Sequence, residues 1–258
     1  MTSLTAAGKN FIRKLLPFRA RLWIAERRQQ FSRMLLPFDR VTSFEVLRRT
    51  TPVRRNFGLA RGQSVDRHYI EHFLGAHAQD IRGRVLEIQN DVYTRKFGGN
   101  RVTQSEVLDV DAANRRATIV ADLAGGDLPV AAFDCVICTQ TLLLIYDVKA
   151  AVRTLHRTLK PGGVLLVTVP GVAHPVCHAL AGDYWRFTSI SARRLFSEVF
   201  VPEHVEVTSH GNVLAAVAFL HGLVVEELTT EELEFCDPEY EVTIAVRAVK
   251  AASGGTHA

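Results

Sequence analysis

The chain has 258 residues, of which 47% are hydrophobic and 22% charged, which suits one large α/β domain with short appendages. No apolar run approaches the ~20 residues that a bilayer span needs, no secretory leader is evident, and four cysteines are too few for a disulfide framework in a chain of this length. We therefore expect a cytoplasmic protein.

The net charge of +4 is unevenly distributed along the chain. Residues 1–84 hold 17 Lys and Arg against 6 Asp and Glu, whereas the rest holds 14 against 21. Apolar residues interleave with arginines over residues 9–36, which predicts a basic helical extension over residues 1–80, interrupted at Pro17 and Pro37. Such a stripe could bind an anionic partner, lie peripherally on a membrane, cover the rest of the protein or form a dimer contact.

Strand-like and helix-like segments alternate after this extension. A helix is predicted over 67–77 with Asp66 as its N-cap. Short β-branched runs bounded by Gly, Asn, Asp or Pro predict strands, and 3.6-residue apolar spacing predicts helices. The predicted strands are 85–88, 107–111, 118–122, 133–138, 164–169, 203–208 and 243–249; the predicted helices are 148–159, 191–200 with Ser191 as cap, and 213–227.

This alternation predicts an α/β fold: a Rossmann-like, seven-stranded, mostly parallel sheet over residues 81–250, with helices on both faces. Residues 251–258 are small and polar and are expected to be disordered. Three strands end in acids, namely Glu87, Asp109 with Asp111, and Asp122. In an open α/β sheet a ligand binds at that edge, although each acid alone could equally serve a turn or a helix cap.

Several motifs occur together in a recognisable order. They are Val85–Ile88 (VLEI), Ala121–Leu123 (ADL), Phe133–Asp134 running to Leu142, and Leu159–Gly163 (LKPGG) followed by Leu165–Pro170 (LLVTVP). In this order they resemble class I S-adenosylmethionine-dependent methyltransferases. Two further stretches narrow the resemblance to the group often found beside glycan and polysaccharide genes: Asp183–Thr188 (DYWRFT), and Asn56–Gly58 with Arg61–Gly62 and Asp66–Arg67. The resemblance covers residues 84–249 and implies methyl transfer to a small-molecule or glycan hydroxyl.

The resemblance also implies roles for individual residues at the S-adenosylmethionine site. Glu87 would face the cofactor's ammonium group, and Gln89 and Tyr93 lie in the loop after the first strand. Either Asp109 or Asp111 would bind the ribose hydroxyls, with Asp111 preferred because it closes the apolar run. Asp122 would accept from the adenine amino group, Leu123 would pack on the ring, and Thr139 and Gln140 would line the sulfonium side. Gln89 and Asp91 occupy positions where the family usually has glycine.

Methyl transfer to a hydroxyl needs alignment and a base. His174, just past the fifth strand, is the first candidate base, followed by Asp183 and Tyr184. Arg186 could orient a sugar or pair with Asp183, and Trp185 could stack on a sugar ring or pack in the core.

We expect no metal site. Cys135 and Cys138 lie within a predicted buried strand and point to opposite faces, and the cluster His174, Cys177 and His178 lacks a fourth ligand. Two other functions stay open. The missing glycines suggest a non-catalytic partner subunit with a methyltransferase fold. The basic extension suggests a nucleic-acid or protein methyltransferase, although the Asn/Asp-Pro-Pro-Tyr/Phe signature is absent at Thr139–Leu142, so a nucleic-acid substrate is disfavoured.

Overall fold

The computed structural model describes residues 48–55, 57, 61–175 and 182–252. Within them, seven strands form one sheet in the order β3-β2-β1-β4-β5-β7-β6. All neighbours pair in parallel except β7, which runs antiparallel to both β5 and β6. The predicted α/β fold is therefore confirmed. The strands are β1 Gly83–Ile88, β2 Val102–Asp109, β3 Ile119–Val120, β4 Phe133–Thr139, β5 Leu159–Pro170, β6 Val205–His210 and β7 Thr243–Val249.

Helices cover both faces of the sheet. One face packs against α2 and α3, and the other packs against α1, whose outer side contacts α4. Single turns of 3₁₀ or π helix connect several elements, among them Thr94–Gly98 after β1 and Leu142–Leu144 after β4. The α-helices are α1 Val65–Ala76, α2 Val148–Thr158, α3 Ser189–Ser197, α4 Val213–His221 and α5 Thr230–Glu234.

The central strands read as nearly unbroken apolar runs because both of their faces are buried. In β4, Cys135 and Ile137 face α1, whereas Val136 and Cys138 face α2 and α3, and all four are fully buried. Burying each side chain of this size stabilises the fold by roughly 1.5–3 kcal/mol relative to exposure. The two cysteines therefore belong to separate layers of the core.

Several predicted element ends are corrected by the structure. The second strand ends at Asp109 and not at Asp111. α1 begins two residues early, with Ser64 as N-cap, so Asp66 lies in its first turn. α3 has Thr188 as N-cap, and Ser191 closes a reciprocal capping box with it. Both hydroxyl residues can cap a helix, and the pairing of their side chains decides which one stands outside it.

The helix predicted over 213–227 ends at His221. Gly222 adopts φ +71°, and its N–H reaches the Ala218 and Phe219 carbonyls, which is a left-handed termination that suits glycine. The apolar sequence continues past this point, so composition alone overextends the helix. The short α5, capped by Thr229, is absent from the sequence prediction.

The N-terminal extension is described only in part. Residues 1–47 and the tail 253–258 lie outside the described residues, so the predictions for them are untested. α1, near the end of the predicted extension, packs Ile70, Phe73 and Leu74 against the sheet. None of the helices in the described ranges has the length and apolar character of a bilayer-crossing segment.

Candidate functional site

The carboxyl ends of β2, β1 and β4 form one edge where the order of strands reverses. Ile88 pairs with Leu108, and Glu87 pairs with Ile137, so one row further Gln89 lies between Asp109 and Thr139. Neighbouring strands are about 4.8 Å apart, so this row spans roughly 10 Å. Such a switch point is where open α/β sheets bind ligands.

Glu87 holds the loop that follows β1. Its side chain is 2% exposed, and its carboxylate accepts hydrogen bonds from the backbone N–H groups of Tyr93 (3.1 Å) and Thr94 (2.7 Å). Burial raises the pKa of Glu87, and these hydrogen bonds oppose the rise. The carboxylate is directed at its own loop, and its contact with the cofactor's ammonium group stays a prediction.

Tyr93 is likewise placed inside the protein. Its ring is 4% exposed and packs beneath α1, and its hydroxyl accepts a hydrogen bond from Arg67 (2.6 Å). Burial raises the pKa of Tyr93, while the Arg67 guanidinium opposes the rise. This side chain therefore packs in the core, and its assignment to the cofactor stays a prediction.

Gln89 supplies a glycine-like backbone without being glycine. It has φ +74°, and its carbonyl accepts a hydrogen bond from the side-chain amide of Asn114 (2.7 Å). The same amide donates to Asp109 (2.6 Å), so Asn114 ties the ends of β1 and β2 together. Asn114 was missed from the sequence, where it stands as an ordinary turn asparagine. At the second glycine position, Asp91 is paired with Arg95 (2.6 Å).

The remaining acids occupy exposed turns at the same edge. Asp111 and Asp122 accept hydrogen bonds from the backbone N–H groups two residues ahead, at Ala113 and Ala124 (2.8 Å each). Because β2 ends at Asp109, the reason for preferring Asp111 over Asp109 is wrong. Leu123 is 4% exposed and belongs to the core cluster of α2 and α3.

The end of β4 carries an unsatisfied polar group. Thr139 and Gln140 are half-buried, Gln140 has φ +47°, and its backbone N–H donates to Thr168 (2.8 Å). The side-chain Nε2 of Gln140 is buried and has no hydrogen-bond partner among the described residues. An unpaired buried amide costs free energy, so this donor is suited to a ligand acceptor.

The three candidate bases follow β5 in different surroundings. The His174 ring stacks on Phe57 with centroids 3.9 Å apart, and its Nδ1 lies 2.9 Å from the Pro175 carbonyl. Asp183 forms a bidentate ion pair with Arg186 (2.5 and 3.1 Å). Of the two expectations for Arg186, orienting a sugar or pairing with Asp183, the structure shows the pairing. Tyr184 is 50% exposed.

The described residues hold no metal-binding cluster, and the thiols of Cys135 and Cys138 are unreactive. Within the described ranges, no three His, Cys, Asp or Glu side chains gather as a metal-binding group, and Cys177 and His178 lie outside those ranges. Burial raises the pKa of Cys135, and it raises that of Cys138 to about 12. Both thiols therefore stay protonated in the core.

Residues 78–167 match the family model described as a methyltransferase domain. They include β1 to β4 and most of β5, the strands that build the edge described above. Over these residues the chain is similar to a methyltransferase domain. The match covers about a third of the 258 residues, and it does not specify an acceptor. No curated protein matches the chain.

Solved structures with a similar course of the chain include three proteins of low identity. An S-adenosylmethionine-dependent methyltransferase from Mesorhizobium loti is 16% identical, with 72% of this chain and 98% of that one covered and a TM-score of 0.49. A chain of the Haloferax volcanii complex between the Trm112 methyltransferase activator and a methyltransferase is 13% identical, with 74% of this chain and 94% of that one covered and a TM-score of 0.49. Phosphoethanolamine N-methyltransferase 2 from Haemonchus contortus, with S-adenosylmethionine bound, is 15% identical. The match covers 78% of this chain and 54% of that one, with a TM-score of 0.47.

The residues at this edge fit S-adenosylmethionine. The buried Nε2 of Gln140 offers a donor without a partner in the described structure. Gln89 lies in the left-handed region that favours glycine, with φ +74°. Asp109 is fixed at the end of β2 by Asn114, and a carboxylate there can accept further hydrogen bonds because it has about four lone-pair sites.

Proposed function

We propose that the protein methylates a hydroxyl group of a sugar, a glycan or another small molecule. The observation that carries this proposal is the row of Asp109, Gln89 and Thr139 at the switch point of a methyltransferase domain. The loops after β4 and β5 leave the same edge and supply side chains for an acceptor.

The cofactor's sulfonium methyl is already activated, so the protein has to bind the cofactor, orient the acceptor and deprotonate its hydroxyl. We assign Asp109 to the ribose hydroxyls, Asp122 to the adenine amino group, and Gln140 to a polar group near the methionine part. Glu87 acts indirectly, because its carboxylate holds the loop of Tyr93 and Thr94. The exposed Asp111 is the second choice for the ribose.

We assign the base to His174. Because the Pro175 carbonyl can only accept, its contact with Nδ1 requires the hydrogen on Nδ1. The neutral ring then carries its lone pair on Nε2, which can take the proton of an acceptor hydroxyl. Asp183 is a weaker candidate because both of its carboxylate oxygens accept hydrogen bonds from the Arg186 guanidinium.

Isothermal titration with S-adenosylmethionine tests the cofactor assignment. Asp109→Ala and Asp122→Ala should each weaken binding about 10–100-fold, since a hydrogen bond to a charged group contributes roughly 1.5–3 kcal/mol. Asp127→Ala, which removes an exposed acid five residues beyond Asp122, is the matched control and should bind normally. Failure of the wild-type protein to bind would overturn the proposal and favour the non-catalytic role.

A methyl-transfer assay against a panel of glycans and small acceptors, read by mass, tests the reaction. His174→Ala should keep cofactor binding and lose turnover. Full turnover by His174→Ala would remove this residue from the mechanism while leaving the cofactor assignment intact.

A further inference from the structure

Two exposed tyrosines form an aromatic corner beside the candidate site. Tyr146 is 71% exposed and Tyr184 is 50% exposed. Their ring centroids are 5.2 Å apart, with the ring planes at 71° to each other. Trp185 supports Tyr146 from one side, with centroids 6.0 Å apart and planes 28° from parallel. Together, Tyr146 and Tyr184 are called the tyrosine corner below.

The tyrosine corner is built by backbone contacts between two loops. The backbone N–H of Tyr184 donates to the Leu143 carbonyl (2.8 Å), and the Trp185 indole N–H donates to the Ile145 carbonyl (2.9 Å). Gly182, at φ +113°, lets the chain pass close to the Leu144 carbonyl, where an added Cβ would be only 3.0 Å away. These contacts hold two large rings in the solvent in a fixed arrangement.

Its position places the corner on the acceptor side of the site. Tyr146 follows β4 by seven residues, through the turn Leu142–Leu144, and the Tyr184 loop lies between β5 and α3. β4 and β5 are parallel neighbours, so both loops leave the carboxyl edge at which Thr139 and Gln140 lie. A molecule in the corner would therefore lie at the edge proposed for the cofactor.

We propose that the tyrosine corner binds an uncharged pyranose ring and so selects the acceptor; this inference rests on the proposed function. One phenol ring can stack on the flat C–H face of a sugar, while the second, nearly perpendicular ring closes its edge. The tyrosine hydroxyls can hydrogen-bond to sugar hydroxyls. The nearby Asp147, which caps α2, disfavours an acidic sugar. In this assignment Tyr184 binds the acceptor and is not the base.

Saturation-transfer NMR on the full chain tests this subsite directly. The probes are the methyl pyranosides of glucose, galactose, mannose and rhamnose, with the open-chain polyol sorbitol as the reference. At least one pyranoside should receive saturation on its ring protons, and sorbitol should receive none. Tyr146→Ala and Tyr184→Ala should weaken that binding about tenfold, whereas Tyr146→Phe retains the ring and should bind nearly as well as the wild type.

Tyr240→Ala is the matched control, because Tyr240 is 44% exposed in the loop before β7. Absence of a pyranoside signal in the wild type, or equal signals in wild type and Tyr146→Ala, would overturn the subsite. S-adenosylmethionine titration separates this outcome from failure of the proposed function. Cofactor binding without pyranoside binding removes only the subsite, and pyranoside binding without cofactor binding removes only methyl transfer.

Discussion

Replacing Gln89 by glycine should stabilise the protein, because Gln89 has φ +74°. A residue with a Cβ pays roughly 1–2 kcal/mol in the left-handed region. Glycine loses more chain entropy on folding, by roughly 0.5–1 kcal/mol. The difference predicts that Gln89→Gly raises the free energy of unfolding by about 0.5–1 kcal/mol. S-adenosylmethionine affinity should change little, since the turn already has the required backbone conformation.

Urea unfolding followed by circular dichroism measures this effect, with Gln79→Gly as the matched control. Gln79 is exposed within the turn Ala78–Asp80 and does not have positive φ. The same substitution there should lower the free energy of unfolding by about 0.5–1 kcal/mol. Equal losses in both variants, with unchanged m-values, would refute the left-handed turn and with it the claim that this loop compensates for its missing glycines.

Three further predictions, two of them with a control variant, concern other parts of the structure. Burial beside His72 and His68 lowers the pKa of His210 from its ordinary 6.5 to about 4, so the unfolded chain takes up the proton first as the pH falls. The free energy of unfolding should therefore fall by about 3 kcal/mol between pH 6.5 and pH 4. His210→Gln should reduce this pH dependence in urea unfolding across the same range. Phe133 is fully buried beneath the Arg84 guanidinium, so Phe133→Ala should lower the free energy of unfolding by about 3–5 kcal/mol. Val130→Ala, at a 64% exposed position, should change it by no more than about 0.5 kcal/mol. Equal losses of stability in the two variants would contradict the packing of Phe133. A methyl group on Gly171 would overlap the Glu241 carbonyl oxygen, whereas one on Gly125 meets ordinary contacts at 3.6 Å. Thermal unfolding should therefore show a large loss of stability for Gly171→Ala and little change for Gly125→Ala. A larger loss for Gly125→Ala would contradict this backbone arrangement.

Each predicted strand overlaps an observed one because the strand signal is local, although β2 and β5 both begin five residues before their predicted starts. The run Thr243–Val249 predicted β7 with both ends correct, and β4 differs from its prediction by one residue. Helix ends were harder, because a hydroxyl residue on either side of a boundary can cap it, as at Thr188 and Ser191. The left-handed Gly222 ends α4 although apolar residues continue beyond it.

The order of the strand-end acids was also readable from the sequence, but the direction of each side chain was not. Parallel strands bring their carboxyl ends to one edge, so Glu87 and Asp109 had to be near neighbours. Whether a carboxylate turns to its own loop, as Glu87 does, depends on which N–H groups the loop presents. Asn114 joins Gln89 and Asp109 from 25 and 5 residues away, and nothing local marks that contact.

The sequence by itself determined the α/β class, the approximate position of each strand and the edge at which the strand-end acids gather, because these depend on apolar periodicity and turn residues within short stretches. Only the tertiary structure decided that Glu87 supports a loop, that Asp183 is paired with Arg186, and that Tyr146 and Tyr184 meet across 38 residues of chain. These features depend on which loops the sheet brings together, and on competition among several partners for each polar group.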